Sequence, residues 1–202
     1  MQTELQETRT KIALEAAMQE LLREKPLEQI RVRELADRCG IRRQSFYYHF
    51  NDVYELLDWS ISREREHLLR RQEEFVTWQQ VYLDLQQYMA ENRAYYQTIL
   101  RIRGRERLRE LLAPVFQNVM DGLDDYYRKN IPEDMTVQME KEFSVWQENK
   151  INLAQVLLEA WINGSVDITP EDVIREAEGV TVSVFLRMLL RTMLHRQKES
   201  SG

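Results

Sequence analysis

Apolar residues fall at helical spacing through most of this chain, and the residues between them divide it into about nine helices, an all-α fold. The first helix is expected over about residues 5–24. Ile12, Ala13, Ala16, Ala17 and Leu21 form its stripe, Thr3 and Gln6 a capping box, and Lys25-Pro26 its end. Two short helices follow, over about 32–39 and 42–50. Asn51-Asp52 caps a long fourth helix over about 52–74, with Leu56, Leu57, Trp59 and Ile61 inside. Thr77 and Gln80 form a second capping box, opening a helix to about Asn92, and a sixth helix reaches about Ile102. Gly104 breaks the chain before a seventh helix to about Arg128, where Pro114 is a candidate kink. The eighth helix spans about 136–163 and ends at Asn163-Gly164. Thr169 caps the ninth, with Pro170 at its first position and Asp172 three residues after the cap, and it reaches about Arg196.

The second and third helices carry the most information. Leu35, Ala36 and Cys39 make an apolar edge, and Gly40 supplies the left-handed conformation that ends one helix and starts a tight turn. Ile41 plugs the corner, and Phe46 and Phe50 give the third helix a buried face at i, i+4. Arg42, Arg43, Gln44, Ser45, Tyr47 and Tyr48 crowd its other side. Arg and Gln can bond base edges, and Tyr, Ser and Arg can bond phosphates, so the face suits a DNA major groove. A helical hairpin with a solvated basic face is the plainer alternative.

Net charge changes the picture by its distribution. The chain carries −6 overall, which runs against DNA binding. Residues 1–50, however, hold nine Lys and Arg against eight Asp and Glu, and residues 31–50 hold five Arg against Glu34 and Asp37. The positive charge is local, as groove docking needs, and the acidic remainder should weaken non-specific binding. A single cysteine, Cys39, excludes an intrachain disulfide framework and fits a reducing cytoplasm. No apolar run resembles a signal peptide or a membrane span.

Gly40-Ile41, then Phe46-Tyr47-Tyr48-His49-Phe50, followed by Tyr54-Glu55-Leu56-Leu57, resembles the DNA-binding domain of the TetR family of bacterial transcriptional regulators. The run from Gly40 to Phe50 is also similar to a branch containing regulators of dihydroxyacetone kinase genes. The close resemblance covers roughly residues 8 to 60; beyond it, Trp161-Ile162-Asn163-Gly164 with Thr169-Pro170-Glu171 matches a signature of some members. It implies a three-helix helix-turn-helix head over 1–51 and a helical effector-binding and dimerisation body over 52–202. It places Arg42, Arg43, Gln44 and Ser45 on bases or flanking phosphates, Tyr47 on base methyls or phosphates, and Tyr48 and His49 on phosphates. Arg33 should reach a phosphate at the start of the second helix, with Arg31 a looser candidate. His49 has an equal alternative role, bonding backbone near the turn. Many members carry Lys where this chain has Asn51-Asp52-Val53, so one or two phosphate contacts would be missing.

The body raises assembly and signalling. The ninth helix is apolar nearly all round, from Val180 through Phe185 and Leu189 to Leu194. Such a helix must be buried on all sides, by a partner chain or at the centre of the monomer. The resemblance implies a homodimer through the last two helices, with Leu157, Trp161, Phe185 and Leu189 in the interface. Trp78, Tyr82, Tyr95, Tyr96, Phe116 and Trp146 populate the middle helices and suit either a ligand pocket or an ordinary core. Members usually enclose a small ligand there, and some of this branch respond to a protein partner. Catalytic chemistry finds no support: His49, His67 and His195 are dispersed, and Glu64 and Glu66 about Arg65 read as a solvated face. No metal or cofactor is expected. The reading is a cytoplasmic DNA-binding regulator, a repressor by family default, acting as a homodimer on a palindromic operator. Its rival is a helical adaptor that binds mainly a partner protein.

Overall fold

The computed structural model describes residues 2–72, 77–130 and 156–166 together with Thr169, Asp172 and Arg175, and every regular element among them is a helix. The elements are α1 (Gln2–Glu24), a 3-10 turn at Leu27–Gln29, α2 (Val32–Arg38), α3 (Arg43–His49), α4 (Val53–Gln72), α5 (Trp78–Glu91) and α6 (Arg93–Asn130). The chain forms two compact units. One comprises residues 1–74 and 87–115, the other residues 75–86 and 116–202.

In the first unit, α1 buries Leu14, Ala17, Met18, Leu21 and Leu22, at helical spacing i, i+3, i+4, i+7, i+8. This corrects the expected stripe: Ile12 is 40% exposed, and Ala13 and Ala16 also face outward. The face with Leu14, Met18 and Leu21 hides more apolar area than the alanine-rich one, and each fully buried Leu contributes about 1.5–3 kcal/mol.

The turn between α2 and α3 follows from its residues. Gly40 has φ 64°. Its N–H donates to Asp37 O (3.2 Å), and the Ile41 N–H donates to Ala36 O (3.0 Å). This pair of bonds is the Schellman motif, which satisfies the last carbonyls of α2 while reversing the chain. Phe46 and Phe50 are both buried, so α3 is held by the face opposite its polar residues.

α4 starts where expected. Asp52 Oδ1 accepts the Tyr54 and Glu55 N–H groups (2.8 and 2.9 Å), and the Asn51 N–H donates back to Glu55 Oε2 (2.6 Å). Leu56, Leu57 and Ile61 are buried, with Trp59 half-buried. Glu64 departs from expectation. It is 5% exposed rather than solvated, and its carboxylate accepts hydrogen bonds from the Tyr88 hydroxyl (3.2 Å) and the Tyr96 hydroxyl. The i, i+4 spacing with Ser60 and Leu68 puts it on the core face, and two phenols satisfy what burial would otherwise leave unpaired. Ser60 Oγ bonds Tyr95 Oη (2.9 Å), and Arg103 grips Asp58 with two nitrogens (2.6 and 2.8 Å). Glu15 of α1 pairs with Arg63 of α4 and is 9% exposed.

In α6 the interruption lies at Gly104 (φ 81°, ψ 176°), while the helix continues through Pro114 without leaving helical geometry. Pro114 costs the helix one N–H donor while its own dihedrals stay helical. Residues 156–162 are helical and end in a second Schellman motif: Gly164 has φ 74°, with Gly164 N–H to Trp161 O (3.0 Å) and Ser165 N–H to Ala160 O (2.8 Å). Thr169 and Asp172 form the expected capping box. The remainder of the eighth and ninth helices lies outside the described residues.

Two predictions follow from these contacts. Nothing lies within 4 Å of the Cβ that alanine would add at Gly40. Gly40→Ala should therefore cost only backbone strain, about 1–2 kcal/mol, read from the urea unfolding midpoint. The second concerns Glu15, whose pKa burial pushes up from 4.5 to about 7 against the pull of Arg63. Between those values the folded chain keeps a proton that the unfolded chain has released. Stability is then greatest below the window, falls as pH rises through it, and levels off above, by at most about 3 kcal/mol. Burial also raises the pKa of Glu64, which adds to a decline of the same sign. Glu15→Gln should flatten the decline of urea midpoints from pH 5 to 7 without abolishing it; an unchanged slope would assign the decline elsewhere.

Candidate nucleic-acid interface

α3 stands on two aromatic anchors. Phe46 packs against Phe50 (5.9 Å between centroids), and Phe50 meets Trp59 of α4 edge-on (5.8 Å). Lys11 of α1 lies over the Phe50 and Trp59 rings (5.7 and 6.0 Å). With its inner face fixed, α3 turns Arg43, Gln44, Tyr47 and Tyr48 outward, Tyr47 57% and Tyr48 72% exposed. Arg42 is exposed just before the helix, and Ser45 and His49 are half-buried. The structure thus brings Arg42, Arg43, Gln44, Ser45, Tyr47, Tyr48 and His49 together on one short element.

Carboxylates sort the cations of this region. Arg38 is held by Glu20 (3.1 Å) and Glu24 (2.6 Å), Lys25 by Glu34, Arg63 by Glu15 and Arg101 by Glu28. Arg33, on the exposed side of α2, has a loose pairing with Asp37 at 3.5 Å. Arg42 and Arg43 form no ion pair with any described residue. Their charge is uncompensated and points to solvent, as an anion-binding surface requires. His49 contributes less charge: burial first, then Lys11, lowers its pKa, so the imidazole is neutral at physiological pH. Its ring lies edge-on to Tyr48 (5.0 Å).

A cleft of about 610 Å³ opens beside α3, with Arg42, Gln44, Ser45 and Tyr48 on one wall and Glu7 and Thr10 of α1 on the other. Nothing in the sequence pattern singles out Glu7. It lies 41 residues from Tyr48, and its carboxylate accepts the Tyr48 hydroxyl at 2.8 Å. No spacing pattern links residues so far apart.

The residues expected to line an effector pocket fall in both units. Tyr95 and Tyr96 are buried in the first unit, their hydroxyls committed to Ser60 and Glu64 of α4. Tyr82 and Phe116 are buried in the second. One turn after Tyr82, buried Gln86 has a side-chain oxygen with no hydrogen-bond partner. The Trp78 side chain and Trp146 lie outside the described residues. Of the interface residues, Leu157 and Trp161 are half-buried and adjoin Val156, 48% exposed. Phe185 and Leu189 lie outside the described residues. No described helix is long and apolar enough to cross a membrane.

Comparison with known proteins gives the family. Residues 13–58 match the family described as bacterial regulatory proteins, tetR family, and residues 76–181 match one described as transcriptional regulator C-terminal region. The chain is similar to the HTH-type dhaKLM operon transcriptional activator DhaS of Lactococcus lactis, with 33% identity over 86 residues. That stretch is 43% of this chain and 46% of the relative, so the match spans about half the length of the curated protein. Among solved structures it is similar to a dihydroxyacetone kinase operon activator DhaS, with a TM-score of 0.64 and 22% identity, over 86% of this chain and 94% of that one. That likeness is one of fold.

Proposed function

The chain belongs to the TetR family of bacterial transcriptional regulators and is not an enzyme, and from that premise we propose that it binds a roughly palindromic operator as a homodimer. The observation that carries the reading is the pair of outward arginines, Arg42 and Arg43, which form no ion pair with any described residue, on a helix-turn-helix in which Lys25 and Arg38 are held by carboxylates. In this reading Arg43 and Gln44 reach base edges, while Arg42, Ser45, Tyr47, Tyr48, His49 and Arg33 hold phosphates. The head corresponds to residues 1–51 and the effector and dimerisation body to 52–202, in nine helices. The half-exposed face of Val156, Leu157 and Trp161 supports pairing through the last two helices, with Phe185 and Leu189 completing the contact. Two heads joined this way must sit about 34–36 Å apart to enter successive grooves.

The body receives a small ligand or a protein effector. Gln86 supports the first: a buried acceptor without a donor suits a hydroxyl or ammonium group of a ligand. α4 runs from the head at Val53 to Gln72 and carries the hydrogen bonds to Tyr88, Tyr95 and Tyr96, which makes it the natural route of coupling. Repression by blocking polymerase is the family default, but the relative matched over 86 residues is named an operon activator, which favours activation. A second reading, an adaptor with weak DNA binding, draws on Asn51 and Asp52. Both are spent on capping α4 and offer no cation to the duplex.

Selection of bound fragments from the source genome tests the reading; failure to enrich any sequence favours the adaptor. On the selected operator, Arg43→Ala should cost about 1–3 kcal/mol with little effect on random DNA, whereas Arg33→Ala should weaken both alike. A uniform loss from Arg43→Ala demotes it to a phosphate anchor. Sedimentation should show a dimer at micromolar concentration, lost in Trp161→Glu together with much of the helical signal if the monomer cannot stand alone. A well-folded wild-type monomer would remove the dimer from the account.

A further inference from the structure

Tyr48 is the most exposed aromatic of α3, yet its hydroxyl is already engaged by Glu7 Oε1 at 2.8 Å. The bond is charge-assisted, and the carboxylate pushes the phenol's pKa up, as an acceptor that holds the proton must. A phenol has one proton to donate. It cannot serve Glu7 and a DNA phosphate at once. A phosphate oxygen that takes the bond lies within about 5 Å of the carboxylate, because both acceptors surround one hydroxyl. Among the described residues lining the cleft beside α3, Glu7 alone is acidic, and it faces Arg42, Gln44 and Ser45. A carboxylate there opposes the polyanion that the rest of the surface attracts.

We infer that Glu7 is an affinity-limiting residue of the DNA-binding surface. In the free protein it sequesters the Tyr48 hydroxyl, and on the duplex it repels the phosphate that would replace it. The inference rests on the docking of α3 proposed above and adds a residue from α1 that works against it. Glu7 sets a ceiling on sequence-independent affinity, and base contacts by Arg43 and Gln44 must make up the difference at the operator. A regulator so arranged releases random DNA more readily than its arginines alone would allow.

Phosphate contacts do not depend on sequence, so a random-sequence 30-base-pair duplex is a sufficient probe, read by fluorescence anisotropy from 50 to 200 mM KCl. Glu7→Gln should tighten binding about 3- to 10-fold at the lowest salt, with the gain shrinking as salt rises. Tyr48→Phe should cost less in the native background, where Glu7 competes for the hydroxyl, than in the Glu7→Gln background. The gain from Glu7→Gln should accordingly fall to about twofold or less when Tyr48 is Phe. Glu66→Gln changes the net charge equally at an exposed position of α4 and should leave affinity unchanged. Equal or weaker binding by Glu7→Gln, the same gain in the Tyr48→Phe background, or the same gain from Glu66→Gln overturns the inference. So does absence of binding by both the native protein and Glu7→Gln. If Arg33→Ala and Arg42→Ala leave duplex affinity unchanged, the docking of α3 itself fails; if they weaken it while Glu7→Gln does not tighten it, only the role of Glu7 fails.

Discussion

A carboxylate inside a helical core must be given donors or a proton, and Glu64 imposes that demand on the first unit. Its position on the buried face of α4 leaves no water to supply them. Tyr88 and Tyr96 supply them, so α4 is fixed in rotation and height against the segments that carry those two phenols. The neighbouring contacts agree with that setting. Ser60 meets Tyr95, Asp58 meets Arg103, and Gln72 donates to the Val115 carbonyl at 2.7 Å. A helix held only by leucines can slide or turn at modest cost. One held by directional bonds to a buried charge moves by exchanging a whole set of bonds, because the unpaired state costs several kcal/mol. That property suits an element proposed to couple the body to the reading head.

The same economy governs the surface charges. The head contains nearly as many acids as bases, and most of the acids are used to hold bases in place. Arg38 ties α2 to α1 through Glu20 and Glu24, and Arg63 ties α4 to α1 through Glu15. Exposed pairs of this kind contribute little individually, but they neutralise cations that would otherwise attract any polyanion. Among the described residues of the head, Arg42 and Arg43 at the start of α3 form no ion pair with a carboxylate, nor do Arg9, Lys11, Arg23 and Arg31. A local excess of positive charge is the electrostatic form of selectivity, and it reconciles a net charge of −6 with the DNA-binding face proposed for α3. Asp52 shows the cost. It makes a well-formed cap for α4 in a segment that offers no cation to the proposed duplex contact.

Local determinants were legible in the amino-acid sequence. The turn after α2 follows from Gly40 and the plug at Ile41, the start of α4 from Asn51 and Asp52, the break in α6 from Gly104, and the helix end at Asn163-Gly164 from glycine's tolerance of positive φ. Each depends on residues within one or two turns of each other, and hydrogen-bond chemistry over that distance has few solutions. The face of α3 was equally readable, because Phe46 and Phe50 at i, i+4 fix which side must be inside. Tertiary structure decided what depends on partners distant in the chain. Which face of α1 is buried turned on the apolar area that the other helices cover, and it left Ile12 outside. Whether Glu64 is solvated or buried turned on two tyrosines 24 and 32 residues away. Tyr48 found its acceptor 41 residues back, on a helix whose spacing says nothing about α3. Helical periodicity reports the direction in which a side chain leaves its own axis; the group that meets it there is set by how separate helices cross, and that exists only once they have packed.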